Sequence, residues 1–322
     1  MTDYKSFTMA AIQANPLYFD IHASTAKACA LISEAGSKGA DIAAFSETWL
    51  PGYPFFAWRQ PSQSVAQKVF ADYLANAIEI PGPETEQLCS AARDANLDVV
   101  IGVVERDAIT RGTTYCTLLF ISNEGEILGR HRKLKPTERE RTVWGDGDGS
   151  GLNVYERPYG RISGLNCWEH NMVLPSYALI AQGTQIHVAA WPGTSTSRHA
   201  VLSAAFASQA ASYVIDVGGL QSKDSIPKVY QDLYRPMPGE SSIYDPFGDL
   251  MVGPAEGETI LIAKGSTEKI YAAKTECDVA GHYSRPDIFQ LYVNRNSVSR
   301  VAAMKPLGFE NSHETPFDKD LN

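Results

Sequence analysis

The stretch RISGLNCWEH, Arg161 to His170, decides the fold. Arg161 to Asn166 reads as a strand that delivers Cys167 at its carboxyl end. A helix near Leu174 to Gln182 follows, with Pro175 in its first turn, where a missing N–H costs little. Gln185 to Ala190 is a second strand. An Ala-rich helix from Arg198 to Ser212 and a strand from Tyr213 to Val217 continue the series. Strands and helices alternate, which is the pattern of an α/β fold with helices covering sheet faces.

The alternation also runs toward the amino end. Phe7 to Ala14 reads as a strand. Ala28, Leu31, Ile32 and Ala35 follow helical spacing. Asp41 to Phe45 is a short apolar strand that ends at Ser46-Glu47. Pro81-Gly82-Pro83 starts a helix with Leu88, Ala91, Ala92 and Ala95 as its apolar stripe. Asp98 to Val104 reads as a buried strand. Tyr115 to Ile121 and Ile127 to Arg132 flank the hairpin turn Asn123-Glu124-Gly125-Glu126. Toward the carboxyl end, strands are expected at Ser242–Tyr244, Thr259–Ala263 and Lys269–Cys277. No Ser/Gly-rich linker or charge block divides the chain. One domain over residues 1–310 is expected, with a polar, mobile tail over 311–322.

Composition narrows the function classes. The 322 residues are 44% hydrophobic and 20% charged, enough for a large core and unlike a disordered chain. The net charge of −9 disfavours nucleic acid and anionic membranes as partners. The one basic cluster, Arg130 to Lys135, is short. No apolar run reaches the ~18–20 residues of a membrane span. The start, MTDYKSFTMAAIQA, has no signal-peptide core. Five widely spaced cysteines, Cys29, Cys89, Cys116, Cys167 and Cys277, form no zinc or dithiol motif and fit a reducing compartment. A cytoplasmic location is the expectation.

Three reactive side chains each follow a strand: Glu47 after DIAAFS, Lys133 after ILGRHR, and Cys167 after RISGLN. Strand ends gather at a sheet edge, so residues distant in sequence can meet there. A thiol is a strong nucleophile as the thiolate. A carboxylate can take its proton. An ammonium lowers the thiol pKa and stabilises charge developing on a substrate. Glutamate, lysine and cysteine form a self-sufficient catalytic unit.

The segments FSETWLPGYP (Phe45–Pro54), HRKLKPTERERTVWGDGDGS (His131–Ser150) and SGLNCWEH (Ser163–His170) resemble the three catalytic blocks of the nitrilase superfamily. HVAAWP (His187–Pro192) and GHYSRPD (Gly281–Asp287) resemble further family segments, and the likeness spans about residues 7 to 295. Cys-Trp-Glu-His resembles the true nitrilases more than the amidase or carbamoylase branches. The resemblance implies Glu47 as general base, Lys133 as stabiliser of the tetrahedral intermediate, Cys167 as nucleophile and Glu140 as an additional active-site glutamate. Ser46 departs from the family's usual proline. The resemblance further implies a four-layer α-β-β-α sandwich, a nitrile and water as reactants, no cofactor, and self-association into dimers and larger or spiral homo-oligomers.

Plainer readings stand beside these. Cys29, Cys89, Cys116 and Cys277 are expected to be inert core thiols. Glu140 lies in Glu138-Arg139-Glu140-Arg141, which also reads as an exposed, salt-bridged stretch. The bulky residues of ETWLPGYP predict burial of Glu47. The Trp168 backbone N–H is placed to hold developing charge. Tyr53, Trp144, Trp168 and Trp191 are candidate pocket residues, with ordinary core packing as the alternative. His170 and His187 read as structural hydrogen-bonders.

Two motifs fail. Asp146, Asp148 and Ser150 imitate a calcium loop, but its twelfth position is Arg157 in place of a bidentate glutamate. Gly145, Gly147, Gly149 and Gly151 fit no dinucleotide fingerprint. No two histidines are four apart, so no metal is expected. Three functions compete: a nitrilase, an amidase or carbamoylase with the same unit, and a non-catalytic scaffold or ligand-binding relative. Which nitrile would be taken is not legible.

Overall fold

The structure, a computed structural model, describes residues 4–59, 61–193 and 198–297. The proposed tail over 311–322 lies outside the described residues. The first half of the chain supplies β1 (Ser6–Gln13), α1 (Ile21–Ser37), β2 (Ile42–Phe45), α2 (Gln63–Ala75), α3 (Pro83–Ala95), β3 (Asp98–Arg106), β4 (Thr114–Ile121) and β5 (Ile127–Arg132). The second supplies β6 (Tyr155–Arg157), β7 (Gly160–Asn166), α4 (Val173–Ile180), β8 (Ile186–Trp191), α5 (Arg198–Ala210) and β9 (Tyr213–Gly218). It continues with β10 (Leu220–Gln221), β11 (Met237–Pro238), β12 (Ser242–Tyr244), β13 (Leu250–Val252), β14 (Thr259–Ser266) and α6 (Thr267–Glu276).

Two six-stranded sheets form, in the orders β14-β1-β2-β3-β4-β5 and β13-β12-β9-β8-β7-β6. Strand alternation assigns each side chain to a layer. On β1, Met9 and Ala11 join Ile42, Ala44, Val100, Leu118 and Phe120 against Ile162, Val188, Ile215 and Ile243 of the other sheet. Ala10 and Ile12 point the opposite way, onto Ala28 and Ile32 of α1 and Leu88 and Ala92 of α3. On the far side, Ala189 and Val214 pack on Phe206, Ala207 and Ala210 of α5. The result is the expected α-β-β-α sandwich. Each fully buried Ile, Leu or Phe in these layers contributes about 1.5–3 kcal/mol.

The inner strands direct three chain segments to one edge. β2 runs parallel to β1 and β3, and two antiparallel steps, β3 to β4 and β4 to β5, return β5 to that direction. In the second sheet β7, β8 and β9 are mutually parallel. The sheets meet at this edge through the Glu47 N–H, which donates to the Trp191 carbonyl at 3.3 Å.

Most expected elements are present within a few residues. Lys269–Cys277 is a correction: Thr267–Glu276 is helix. Ser266 caps it by accepting from the Lys269 N–H, Glu268 complements the first turn, and Ile270 and Ala273 form the buried face three apart. α2 was not expected. Its inward contact is little more than Val69 and Tyr73, so its apolar period is faint. The two- and three-residue strands β6, β10, β11 and β13 are too short to show a period.

Candidate active site

Glu47, Lys133 and Cys167 follow the carboxyl ends of β2, β5 and β7, and all three are buried. Lys133 Nζ donates to Glu47 Oε1 at 2.7 Å and to Glu140 Oε2 at 2.7 Å. One ligand atom each of Glu47, Glu140 and Cys167 lie within 4.8 Å of one another. Such spacing could hold a cation, and the Lys133 ammonium already stands between the two carboxylates.

Glu140 sits in a 3-10 turn, Glu138–Thr142. It is buried rather than part of an exposed charge stretch. Its Oε1 accepts from the Tyr53 hydroxyl at 2.7 Å, and its Oε2 also accepts from the Thr137 N–H at 2.7 Å. Glu47 Oε1 is taken up by Lys133 and by the Cys116 thiol at 3.3 Å. Its Oε2 has no hydrogen-bond partner among the described residues. Cys116 is a buried thiol, as expected, and its hydrogen bond joins it to the Glu47 carboxylate.

Backbone shape aims the Cys167 side chain. Cys167 has φ of 50°, in the left-handed region, at a cost of about 1–3 kcal/mol. Glu169 holds the strained turn in place. Its carboxylate accepts from the Asn166 N–H at 2.8 Å, just before Cys167, and from the Leu134 N–H at 2.9 Å, just after Lys133. The His131 Nε2–H donates to it at 3.0 Å. One buried carboxylate thus ties the lysine loop to the cysteine loop. Burial raises its pKa, but His131 and the two N–H groups together hold it below the usual range. Sequence reading noticed Glu169 only as a motif letter. Gly102 was missed as well: a Cβ there would stand 2.2 Å from the Ser46 carbonyl oxygen and 2.4 Å from the Thr48 nitrogen, so its absence lets the Glu47 loop lie on β3.

Behind Cys167 runs a buried column. A carbonyl only accepts, so His170 Nδ1–H donates to Cys167 O at 2.8 Å. Burial lowers the His170 pKa to about 4 and pushes that of His187 well below the usual range, so both rings are neutral. The tautomers follow: His187 Nε2–H donates to His170 Nε2 at 3.0 Å, and Ser163 donates to His187 Nδ1 at 2.8 Å. Both histidines are structural hydrogen-bonders, as expected.

Burial raises the Cys167 pKa well above the usual thiol value. Lys133 and the Trp168 backbone N–H oppose that rise, and the charges of Glu47 and Glu140 add to it. The resting sulfur is therefore a protonated thiol. Lysine lowers its pKa as expected, but burial outweighs the effect. Glu47 is pushed up to about 7, by burial first, against the Lys133 charge. Burial disfavours the charged form of Lys133, yet Glu47, Cys167 and Glu140 hold it well above its usual range. The lysine stays an ammonium, and Glu47 Oε2 is the free oxygen able to receive the thiol proton.

A cavity of about 170 Å³ opens onto this cluster, and Tyr53, Trp58, Glu140, Cys167, Trp168 and Arg235 are in its wall. Of the four aromatics expected to form a pocket, Tyr53 and Trp168 do so. Trp144 and Trp191 stand one layer back: Trp144 packs edge-on against Tyr53, and Trp191 stacks on His170. Arg235 was not anticipated, because no period or motif marks it.

The carbon-nitrogen hydrolase family model matches residues 8–275, and the chain belongs to that family. Within it, the chain groups with proteins named nitrilases. It is 52% identical to Nitrilase 2 of an unknown prokaryotic organism over 94% of this chain and 96% of that one. It is 38% identical to the aliphatic nitrilase of Sinorhizobium fredii (strain HH103) over 92% and 98%. Nit3 of Saccharomyces cerevisiae, of branch 10 of the nitrilase superfamily, shares the fold with a TM-score of 0.69 at 17% identity, over 87% of this chain and 97% of that one.

Proposed function

We propose that this protein is a nitrilase, hydrolysing an organic nitrile to the carboxylic acid and ammonia through Cys167. The observation that carries the reading is the meeting of Cys167, Glu47, Glu140 and Lys133 in one buried cluster, with Cys167 and Glu140 in the wall of a cavity. The relatives named nitrilases support the nitrile as substrate.

The geometry supports the following steps. Glu47 Oε2 takes the thiol proton as sulfur attacks the nitrile carbon, and the proton passes to nitrogen to give a thioimidate. Water adds to the carbon with Glu47 again as base, and ammonia leaves a thioester. A second water releases the acid and restores the thiol. The sum is one nitrile plus two waters giving one acid and one ammonia. Lys133 offsets charge at both tetrahedral stages, and Glu140 holds Lys133 and Tyr53 in place. No step calls on a cofactor.

Ammonia and acid release from a nitrile panel tests this, with Cys167→Ala as control. Release at the wild-type rate by that variant excludes the mechanism. A large preference for the matched amide over the nitrile moves the assignment to an amidase.

Self-association into dimers and larger or spiral homo-oligomers is part of the proposal. The exposed apolar Val173, Leu174 and Val201 support it. A cytoplasmic location is supported by cysteines that are all free thiols. Among the described residues, no helix is long and apolar enough to cross a membrane.

A further inference from the structure

The cavity over Cys167 leads past Trp58 and Arg235 to a wider hollow of about 610 Å³, in whose wall Arg59 also stands. The two spaces share Trp58 and Arg235. The Arg235 guanidinium lies over the Trp58 ring, 5.1 Å from its centroid. Arg59 Nη2 donates to the Tyr234 carbonyl at 2.6 Å. Neither guanidinium has a carboxylate partner among the described residues. The arginines of the strand layers contrast with them: Arg132 pairs with Glu105, Arg157 with Asp98, and Arg106 with Glu79. In a chain of net charge −9, two unneutralised guanidinium groups flank the route to the nucleophile.

The inner end has the opposite character. There the single Lys133 ammonium serves two carboxylates, so an entering anion meets repulsion and a neutral, linear cyano group does not. The charge gradient along the cavity orients a ligand that is uncharged at one end and anionic at the other.

We infer that the preferred substrates are nitriles carrying a carboxylate at the end remote from the cyano group, with Arg235 as the specificity-determining residue and Arg59 as its neighbour in charge. This rests on the nitrilase reading above. Arginine suits the task because its planar fork binds carboxylate through two hydrogen bonds while its face rests on an aromatic ring. The reaction takes a cyanocarboxylate and two waters to a dicarboxylate and an ammonium ion.

The test compares two nitriles of matched shape: 4-cyanobutanoate and 5-methylhexanenitrile, in which an isopropyl group replaces the carboxylate. The wild-type protein is expected to favour the anion in kcat/KM. Arg235→Gln should lower that preference about tenfold or more, the usual weight of a charge-assisted hydrogen bond. Arg235→Lys should keep more of it. A wild-type preference for the neutral compound, or a ratio unmoved in Arg235→Gln, overturns the inference. Calorimetric titration of Cys167→Ala with the same two compounds makes the decision independent of turnover. Tighter binding of the anion, lost with Arg235→Gln, sustains the role given to Arg235; equal binding of both compounds defeats it. Failure of the nitrilase reading shows separately, as absence of ammonia from every nitrile tried.

Discussion

Glu47 and Asp216 are both buried carboxylic acids, and burial pushes both up to about 7. Their surroundings differ. Glu47 follows the end of β2 with the Lys133 ammonium at 2.7 Å and Cys167 close by. Asp216 lies inside β9, between Ala189 of β8 and Ser242 of β12. His199 and Ser203 of α5 favour its ionised form, yet neither of its oxygens makes a well-formed hydrogen bond among the described residues. A shifted acid next to a nucleophile and an ammonium can pass a proton to and fro. One enclosed by strands has no reacting partner and is a cost to stability. A raised pKa alone therefore does not mark a catalytic group; geometry separates the two.

The largest expected effect tests the catalytic half of this contrast. Glu47→Gln should cut ammonia release about a hundred- to ten-thousand-fold, the usual weight of a general base. The melting midpoint should move little, because Glu140 still faces Lys133. Retained turnover with a collapsed midpoint would reverse the roles assigned to Glu47 and Asp216.

Asp216→Asn should do the opposite, sparing turnover and changing the pH dependence of stability. The folded pKa of Asp216 lies above its unfolded value of 3.8. Its contribution is therefore fully present below about pH 3.8 and lost as pH rises through about 7. At pH 8 ionised Asp216 should cost on the order of 4 kcal/mol relative to acid conditions. Urea midpoints at pH 5 and pH 8 measure this. The wild-type protein should lose stability between them, and the variant should lose less. Equal losses would mean that Asp216 is paired in solution.

Cys116→Ala should give the smallest change. Its thiol donates to Glu47 Oε1 and holds the glutamate's pKa down. Removing it should move the acid limb of the kcat/KM profile to higher pH by a fraction of a unit, with turnover at the plateau largely kept. A limb that moves the other way would contradict the assigned direction of the bond.

The site was legible to the extent that its chemistry is local. Glu47, Lys133 and Cys167 each follow an apolar strand run, and strand ends converge by the geometry of parallel sheets. Glu140 was harder, because alternating charges look the same on a surface and beside a buried lysine. Glu169 escaped notice because its work is to join two loops, at Leu134 and Asn166, that are remote in sequence. The helix α6 was misread because its cap, Ser266, is also the last residue of a strand.

By itself the sequence located most of the longer strands and helices, through their apolar periods, and put Glu47, Lys133 and Cys167 after strand ends. Tertiary structure alone decided that Lys133 and Cys116 occupy one Glu47 oxygen and leave the other without a partner, that the resting sulfur keeps its proton, and that Arg59 and Arg235 line the outer hollow with no acidic partner among the described residues. The physical reason is that ionisation and pairing depend on distance and dielectric. Both are set by residues far apart along the chain.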